Sequence, residues 1–524
     1  MSQHTVATRY GSVRGVARDD VVCFYNVPYA RPPLGELRFC EALPPEPWSR
    51  VRDATVAGPI APQPPAGLGS YVPGDPTEQS EDCLSLNVFT ASLEGQRRPV
   101  VVFVHGGAFV TGTGAGVMYD GASLARQGVV VVTLNYRLGA LGFLAHRALA
   151  RPGHPGFGNW GLSDVLLALG FIADHAAAFG GDARRVTVVG ESAGAMIVAD
   201  LLGAPRASGL FSRAVLESGA VLVEDPATAE AHAEELASLL GVGTLSREAL
   251  CAMPVSELLD ATAVLSERLG GGLSMPFRPV VEPGMLPEHP ERAIQRGKAG
   301  GVATLIGTNR DEFKLFTFSS KELAALEEAD LEALVARCGT AAVRGLELDA
   351  RQVLAGYRSA AAGGSSPGRR ELFDALATDL FFRAPALRLA EAQSAHAPVY
   401  CYEFAWPSPF MDGVLGACHG IELPFVFGTH ANPVIALFAG AGDAAERLGA
   451  AVQGAWVRFA QSGDPSGGAI GSWPRYLPGR ATMVLGASCE LIEAPGEPLR
   501  QLWEEHLPRY GGEATEISEA LRGT

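Results

Sequence analysis

No stretch of this sequence approaches the roughly 18 consecutive apolar residues that a membrane-spanning helix needs, and no apolar core follows a basic start in the N-terminal MSQHTVATRYGSVRG. Neither a membrane span nor a secretion signal is therefore expected. Positive charge is scarce too. Lysine and arginine number 41 against 57 aspartates and glutamates, giving a net charge of −16. Such a surface repels phosphate backbones, so nucleic acid is not an expected partner. The eight cysteines include no C-x-x-C pair, which argues against a zinc site. Read as reduced or buried thiols, they fit a cytoplasmic protein, without excluding secretion; their even number permits disulfides but does not argue for them.

What is present is a chain of 524 residues, 47% hydrophobic, long enough for a large core. The N-terminal TVATRYGSVRGV and DVVCFYNV alternate weakly, as strands of a hairpin do. Residues 60–80, IAPQPPAGLGSYVPGDPTEQS, read as a long surface loop. The pattern then changes. VVVFVHGG (100–107), VVVVTLNY (129–136), VTVVGES (186–192) and AVLESG are short β-branched runs without alternation, as in strands buried on both faces. VATLIGT (302–308) and PVYCYEF (398–404) are later strand candidates, and Asp164–Phe179 is helical in pattern. Alternating strand and helix predicts a mostly parallel sheet covered on both sides. The segments of about 225–300 and 320–395 are Ala- and Leu-rich and read as helical insertions capping the sheet of a single domain over 1–524. Ser359–Arg370 reads as a flexible loop.

One of those strands ends in VVGESAGAM, where Gly190-Glu191-Ser192-Ala193-Gly194 meets the helical AGAMIVADLL. A serine framed by small residues at a strand-to-helix junction fits a tight turn that thrusts its hydroxyl above the sheet. The N–H of Ala193 opens the helix and faces the same space, where it can stabilise an oxyanion. HGGAF (105–109) follows another buried strand, and its glycines allow backbone N–H groups to approach a ligand. A base and an acid are still required. Chain order places both after the serine, which removes His4, His105, His146, His154 and His175. His232, His289, His396 and His506 sit in helical contexts, at a helix exit or near the tail. His419, between Gly416 and Gly420, and His430 remain, with His419 favoured by its tight surroundings. The acid is Asp311 or Glu312, just past a strand in LIGTNRDEF.

Taken together, VPYARPPLGELRF, SEDCLSLNVF, HGGAF, LNYRLGALGFL, GNWGLSD, FGGD, VTVVGESAGA, GTNRDEF and HGIELPFVFG resemble the type-B carboxylesterase/lipase family, which includes para-nitrobenzyl esterases and cholinesterases. The motifs span about residues 25 to 428 in the family's order, and the bacterial-type esterases are the nearer match. The resemblance implies an α/β-hydrolase fold and hydrolysis of a small-molecule carboxylic ester, with no cofactor and no metal. It implies Ser192 as nucleophile, Glu312 as the acid and His419 as the base. Gly107, Ala108 and Ala193 would be the oxyanion-hole donors, and Ser218 a buried serine beside the triad. Arg38 with Glu81, and Arg137 with Asp164, would be structural ion pairs.

Departures from the family pattern are informative. Cys83 matches a cysteine that is bridged in many relatives, but the partner position reads as Ala61. Asp164-Val165 and Phe171 replace the family's Asp-Gln and Trp, and touch no catalytic role. Residues 60–80 hold no tryptophan to stack a quaternary ammonium, so choline esters are not favoured. Two other readings share these motifs: a catalytically silent binding or adhesion member, and an amidase or lactonase with the same triad. The sequence carries no signal for an oligomeric state.

Overall fold

The computed structural model describes residues 3–65, 72–269, 275–342, 346–360 and 367–507. Its centre is a 13-stranded sheet. The strands are β1 (Gln3–Thr8), β2 (Gly11–Arg18), β3 (Val21–Pro28), β4 (Arg52–Asp53), β5 (Ser85–Thr90), β6 (Arg98–Val104), β7 (Val130–Leu134), β8 (Gly181–Glu191), β9 (Arg213–Glu217), β10 (Ala303–Asn309), β11 (Val399–Phe404), β12 (Ala481–Leu485) and β13 (Cys489–Glu493). They lie in the order β1-β2-β3-β5-β7-β6-β8-β9-β10-β11-β12-β13, with β4 beside β2. Pairing is parallel throughout from β7 to β12 and antiparallel at both flanks, apart from the short parallel β2–β4 pair. This is the α/β-hydrolase architecture.

The unbroken apolar runs have a direct cause. Every residue of β7, and every residue of β6 after Arg98, is buried. Val100, Val102 and Val104 enter one core, while Val101 and Phe103 enter the other on the opposite face. Alternate side chains feed two cores, so neither face can be polar. The sequence pattern does not mark β4, β5, β12 or β13. β13 is exposed along most of its length, and its ELIE pattern carries no buried stripe.

Helices Pro226–Leu239, Val255–Arg268 and Pro290–Gln295 fill the first segment read as an insertion, and helices from Lys321 to Ser394 fill the second. Half of Ser359–Arg370, read as a loop, lies at 361–366, outside the described residues, while Ser359 and Ala360 end one helix and Arg369 and Arg370 begin the next. The 60–80 segment is a surface loop only in part. Ile60 to Gln63 are buried, and the Gln63 side chain exchanges two hydrogen bonds with the backbone of Gly112, at 2.8 and 3.0 Å.

Among the described residues one helix, Trp160–Phe179, is long and apolar enough to cross a membrane by length and composition, although no uninterrupted apolar run marks it in the sequence. It is a core helix here, since 67% of its apolar window is buried. It also carries Asp164, fully buried, which accepts from the Arg137 backbone N–H and guanidinium at 2.6–2.9 Å. The second foreseen ion pair is present as well, with Arg38 bidentate on Glu81 at 2.6 Å. All eight cysteines are free thiols, Cys83 among them, and Ala61 lies in the same buried cluster as Cys83.

Candidate active site

The C-terminal ends of neighbouring parallel strands converge on one cavity, the usual position for a ligand in an open α/β sheet. Ser192 follows β8 and precedes the helix Ala193–Gly203. Its backbone sits at φ 55°, ψ −124°, a region that costs a non-glycine residue roughly 1–3 kcal/mol. The Ser192 N–H donates to Glu217 O at 2.9 Å, which pins the turn to β9. Glycine on either side is obligatory here. A side chain at Gly190 would strike the Gly194 backbone, and one at Gly194 would strike the Val104 carbonyl.

In HGGAF the backbone turns left-handed at Gly107 (φ 113°), Ala108 (φ 52°) and Phe109 (φ 62°). The turn closes by hydrogen bonds from the N–H groups of Val110 and Thr111 to the Gly107 carbonyl, each at 3.0 Å. Gly106 packs so closely on the elbow that a Cβ there would lie 2.8 Å from Ser192 Cβ. Gly107, Ala108 and Ser192 border the same cavity, and Ala193 is the first residue of the helix behind them. His105 serves the fold: its ring stacks on Tyr136 and its Nδ1 lies 2.8 Å from Gly106 O. Burial pulls its pKa down to about 4.

His419 lies on the loop after β11 and borders the cavity with Ser192. Its Nδ1 is 2.7 Å from Glu312 Oε2, and its ring lies against Phe316 and Phe382. Glu312 is fully buried, and its other oxygen accepts the Asn309 N–H at 2.7 Å. Neither Asp311 nor His430 takes part in the His419–Glu312 contact. Asp311 instead accepts the Ala417 N–H and pairs with Lys314, both at 2.9 Å. His430 stacks on Phe425 and lies 3.4 Å from Glu446. Ser218, at φ 54°, is fully buried and donates its N–H to Gly307 O at 2.9 Å.

Sequence reasoning missed Glu191. Its Oε1 is 3.2 Å from His419 Nε2, so the imidazole lies between two buried carboxylates. Burial pulls the His419 pKa down, but the negative charges of Glu191 and then Glu312 outweigh it and hold the imidazole above its usual value. Burial raises Glu191, and the positive imidazole opposes that rise. Two further buried glutamates stand nearby in the fold. Glu217 accepts the Trp456 indole N–H at 2.6 Å and is pushed up to about 8 by burial. Glu422 is held by the Asn309 side chain and is also raised by burial. Glu191 precedes the serine in the quoted motif, but its partner is 228 positions away, and no local pattern reports such a contact.

The cavity is about 1120 Å³, and its wall is largely apolar, with Val110, Met196, Leu222, Phe313, Phe382 and Leu423. Val72, Pro73 and Asp75 of the 60–80 segment border it too, as do Phe410 and Leu415. No cluster of three or more metal-ligating side chains occurs among the described residues.

A sequence model of the carboxylesterase family matches residues 2–490. The chain is 38% identical over 506 residues to a para-nitrobenzyl esterase of Bacillus subtilis (strain 168), covering 96% of this chain and 98% of that one. It is 36% identical over 484 residues to a phenmedipham hydrolase of Pseudarthrobacter oxydans, covering 90% and 92%. Among solved structures, a carboxylesterase of Geobacillus stearothermophilus superposes with a TM-score of 0.84 at 35% identity, covering 95% of this chain and 99% of that one.

Proposed function

Because the chain belongs to the carboxylesterase family and is a carboxylic ester hydrolase, we propose that it works through an acyl-enzyme on Ser192, with His419 as base and Glu312 as its orienting acid. The observation that carries the reading is the 2.7 Å contact from His419 Nδ1 to Glu312, on an imidazole that shares its cavity with the strained Ser192. With Nδ1 holding its proton toward Glu312, Nε2 is the basic nitrogen. It takes the hydroxyl proton as Ser192 Oγ attacks the ester carbonyl. The oxyanion that forms is met by the N–H groups of Gly107, Ala108 and Ala193. Collapse expels the alcohol, protonated by His419, and water then cleaves the acyl-enzyme by the same steps in reverse. Glu312 and Glu191 both stabilise the transient imidazolium.

The volume and apolar wall of the cavity fit neutral esters of drug-like size better than short acetyl esters. Titration with a diethyl p-nitrophenyl phosphate tests the mechanism. One equivalent should abolish hydrolysis and leave a single diethylphosphoryl group on the peptide containing Ser192. Full activity after stoichiometric labelling, or labelling elsewhere, would reject it. A series of p-nitrophenyl esters of increasing acyl length tests the substrate class, with kcat/KM expected to rise beyond acetate.

A further inference from the structure

Away from the cavity, two cysteines meet at one carbonyl. The Cys40 sulfur lies 3.3 Å from Arg38 O, and the Cys251 sulfur lies 3.8 Å from the same oxygen. Cys40 belongs to the segment after the turn Gly35–Leu37, and Cys251 to the helix Arg247–Ala252. The two segments are clamped. Arg38 donates to Cys251 O and Met253 O at 3.0 and 2.6 Å, while Arg247 donates to Glu36 O at 2.9 Å and pairs with Glu36 at 3.1 Å. Two guanidinium nitrogens, of Arg151 and Arg247, stand 3.5 and 3.6 Å from the Cys40 sulfur. Cys40 is buried, and Cys251 is partly exposed. Burial pushes up the Cys251 thiol, as it does those of Cys23, Cys83, Cys338, Cys401, Cys418 and Cys489, but among the described residues only Cys40 and Cys251 bring two sulfurs to one carbonyl oxygen.

We propose that Cys40 and Cys251 are a redox pair that closes to a disulfide under peroxide and reopens with a dithiol. The accessible partner reacts first. The Cys251 sulfur attacks hydrogen peroxide, the O–O bond breaks, and a sulfenic acid and water result. The Cys40 sulfur then attacks Cys251, the S–S bond forms, and hydroxide leaves with the Cys40 proton as a second water. The two thiols supply the two electrons that peroxide takes up. The contacts from Arg151 and Arg247 hold the Cys40 sulfur in place for the second step. The clamp makes that step intramolecular, so it outruns capture by a solution thiol or further oxidation. The closed bridge ties the Arg38 segment covalently to the helix Arg247–Ala252.

The test uses the full chain, reduced and then exposed to hydrogen peroxide, with free thiols blocked before a non-reducing digest. The expected product is a peptide pair joining Cys40 to Cys251, lighter by two hydrogen atoms than its parts and released by dithiothreitol. Cys40→Ser should remove that product and leave Cys251 as a sulfenic acid that dimedone traps. The native chain should give little such adduct. Two results would overturn the proposal: peroxide treatment that yields no Cys40–Cys251 peptide, or equal dimedone labelling of Cys251 with and without Cys40. Ester hydrolysis by the reduced protein is measured separately and does not bear on either outcome.

Discussion

Replacing Glu312 by Gln should abolish most activity while leaving the fold in place, and the geometry shows why. Glu312 has two fixed duties: one oxygen accepts the Asn309 N–H, and the other faces His419 Nδ1, both at 2.7 Å. A glutamine in the same space has one oxygen and one NH₂ group. If its oxygen stays with the Asn309 N–H, its NH₂ group faces Nδ1. That nitrogen must then accept, so the proton moves to Nε2, which can no longer take one from Ser192. Losing the charge also removes part of the support for the imidazolium. In a serine-protease triad the same acid-to-amide change is worth about 10⁴ in kcat, which corresponds to roughly 5.5 kcal/mol of transition-state stabilisation. The loss expected here is of that order, about 10³–10⁴ in kcat with little change in KM. Asp311→Asn is the control. Asp311 spends its oxygens on Ala417 N–H and Lys314, so its loss should cost less than about tenfold, the range of a partly exposed ion pair. The assay is steady-state hydrolysis of a p-nitrophenyl ester by both variants, with circular dichroism to establish folding. Equal losses, or a larger loss in Asp311→Asn, would refute the assignment.

The pH profile carries a second prediction. The neutral imidazole is the active form, and His419 is held above its usual value. The acid limb of kcat/KM should therefore lie above about pH 6.5. Glu191→Gln removes a negative charge 3.2 Å from Nε2 and should move that limb to lower pH; a limb that stays put or rises would show that Glu191 does not act on the imidazole. A third prediction concerns the fold. Asp164→Asn leaves Arg137 buried without its counter-charge and should cost roughly 3–5 kcal/mol in urea unfolding. A change below 1 kcal/mol would contradict that account.

The legible parts of the fold were those with an extreme pattern. β6 after Arg98, β7 and the Val186–Gly190 stretch of β8 stood out because strands buried on both faces tolerate almost nothing polar. β13, exposed and short, and the β12–β13 hairpin left no such mark. The serine was legible because its turn forces small residues at fixed offsets, and those collisions are visible at Gly190 and Gly194. The acid was ambiguous from the residues alone, since Asp311 and Glu312 are adjacent. Which one turns inward depends on the Asn309 N–H and on a histidine 107 positions later. The same holds for Glu191, whose contact with His419 exists only once the ends of β8 and β11 are brought together. The helix Trp160–Phe179 shows the converse. Its composition alone suits a membrane, and the Arg137–Asp164 pair and its burial identify it as core.

The central claim is that Ser192 forms the covalent bond to the acyl group, and Ser192→Ala tests it most directly. The measurement is kcat/KM for a p-nitrophenyl ester on purified, folded variant and parent. Without the nucleophile, only binding and the oxyanion-hole N–H groups remain, so the rate should fall by a factor on the order of 10⁴ or more. A folded variant that retained half the parent rate would contradict the account.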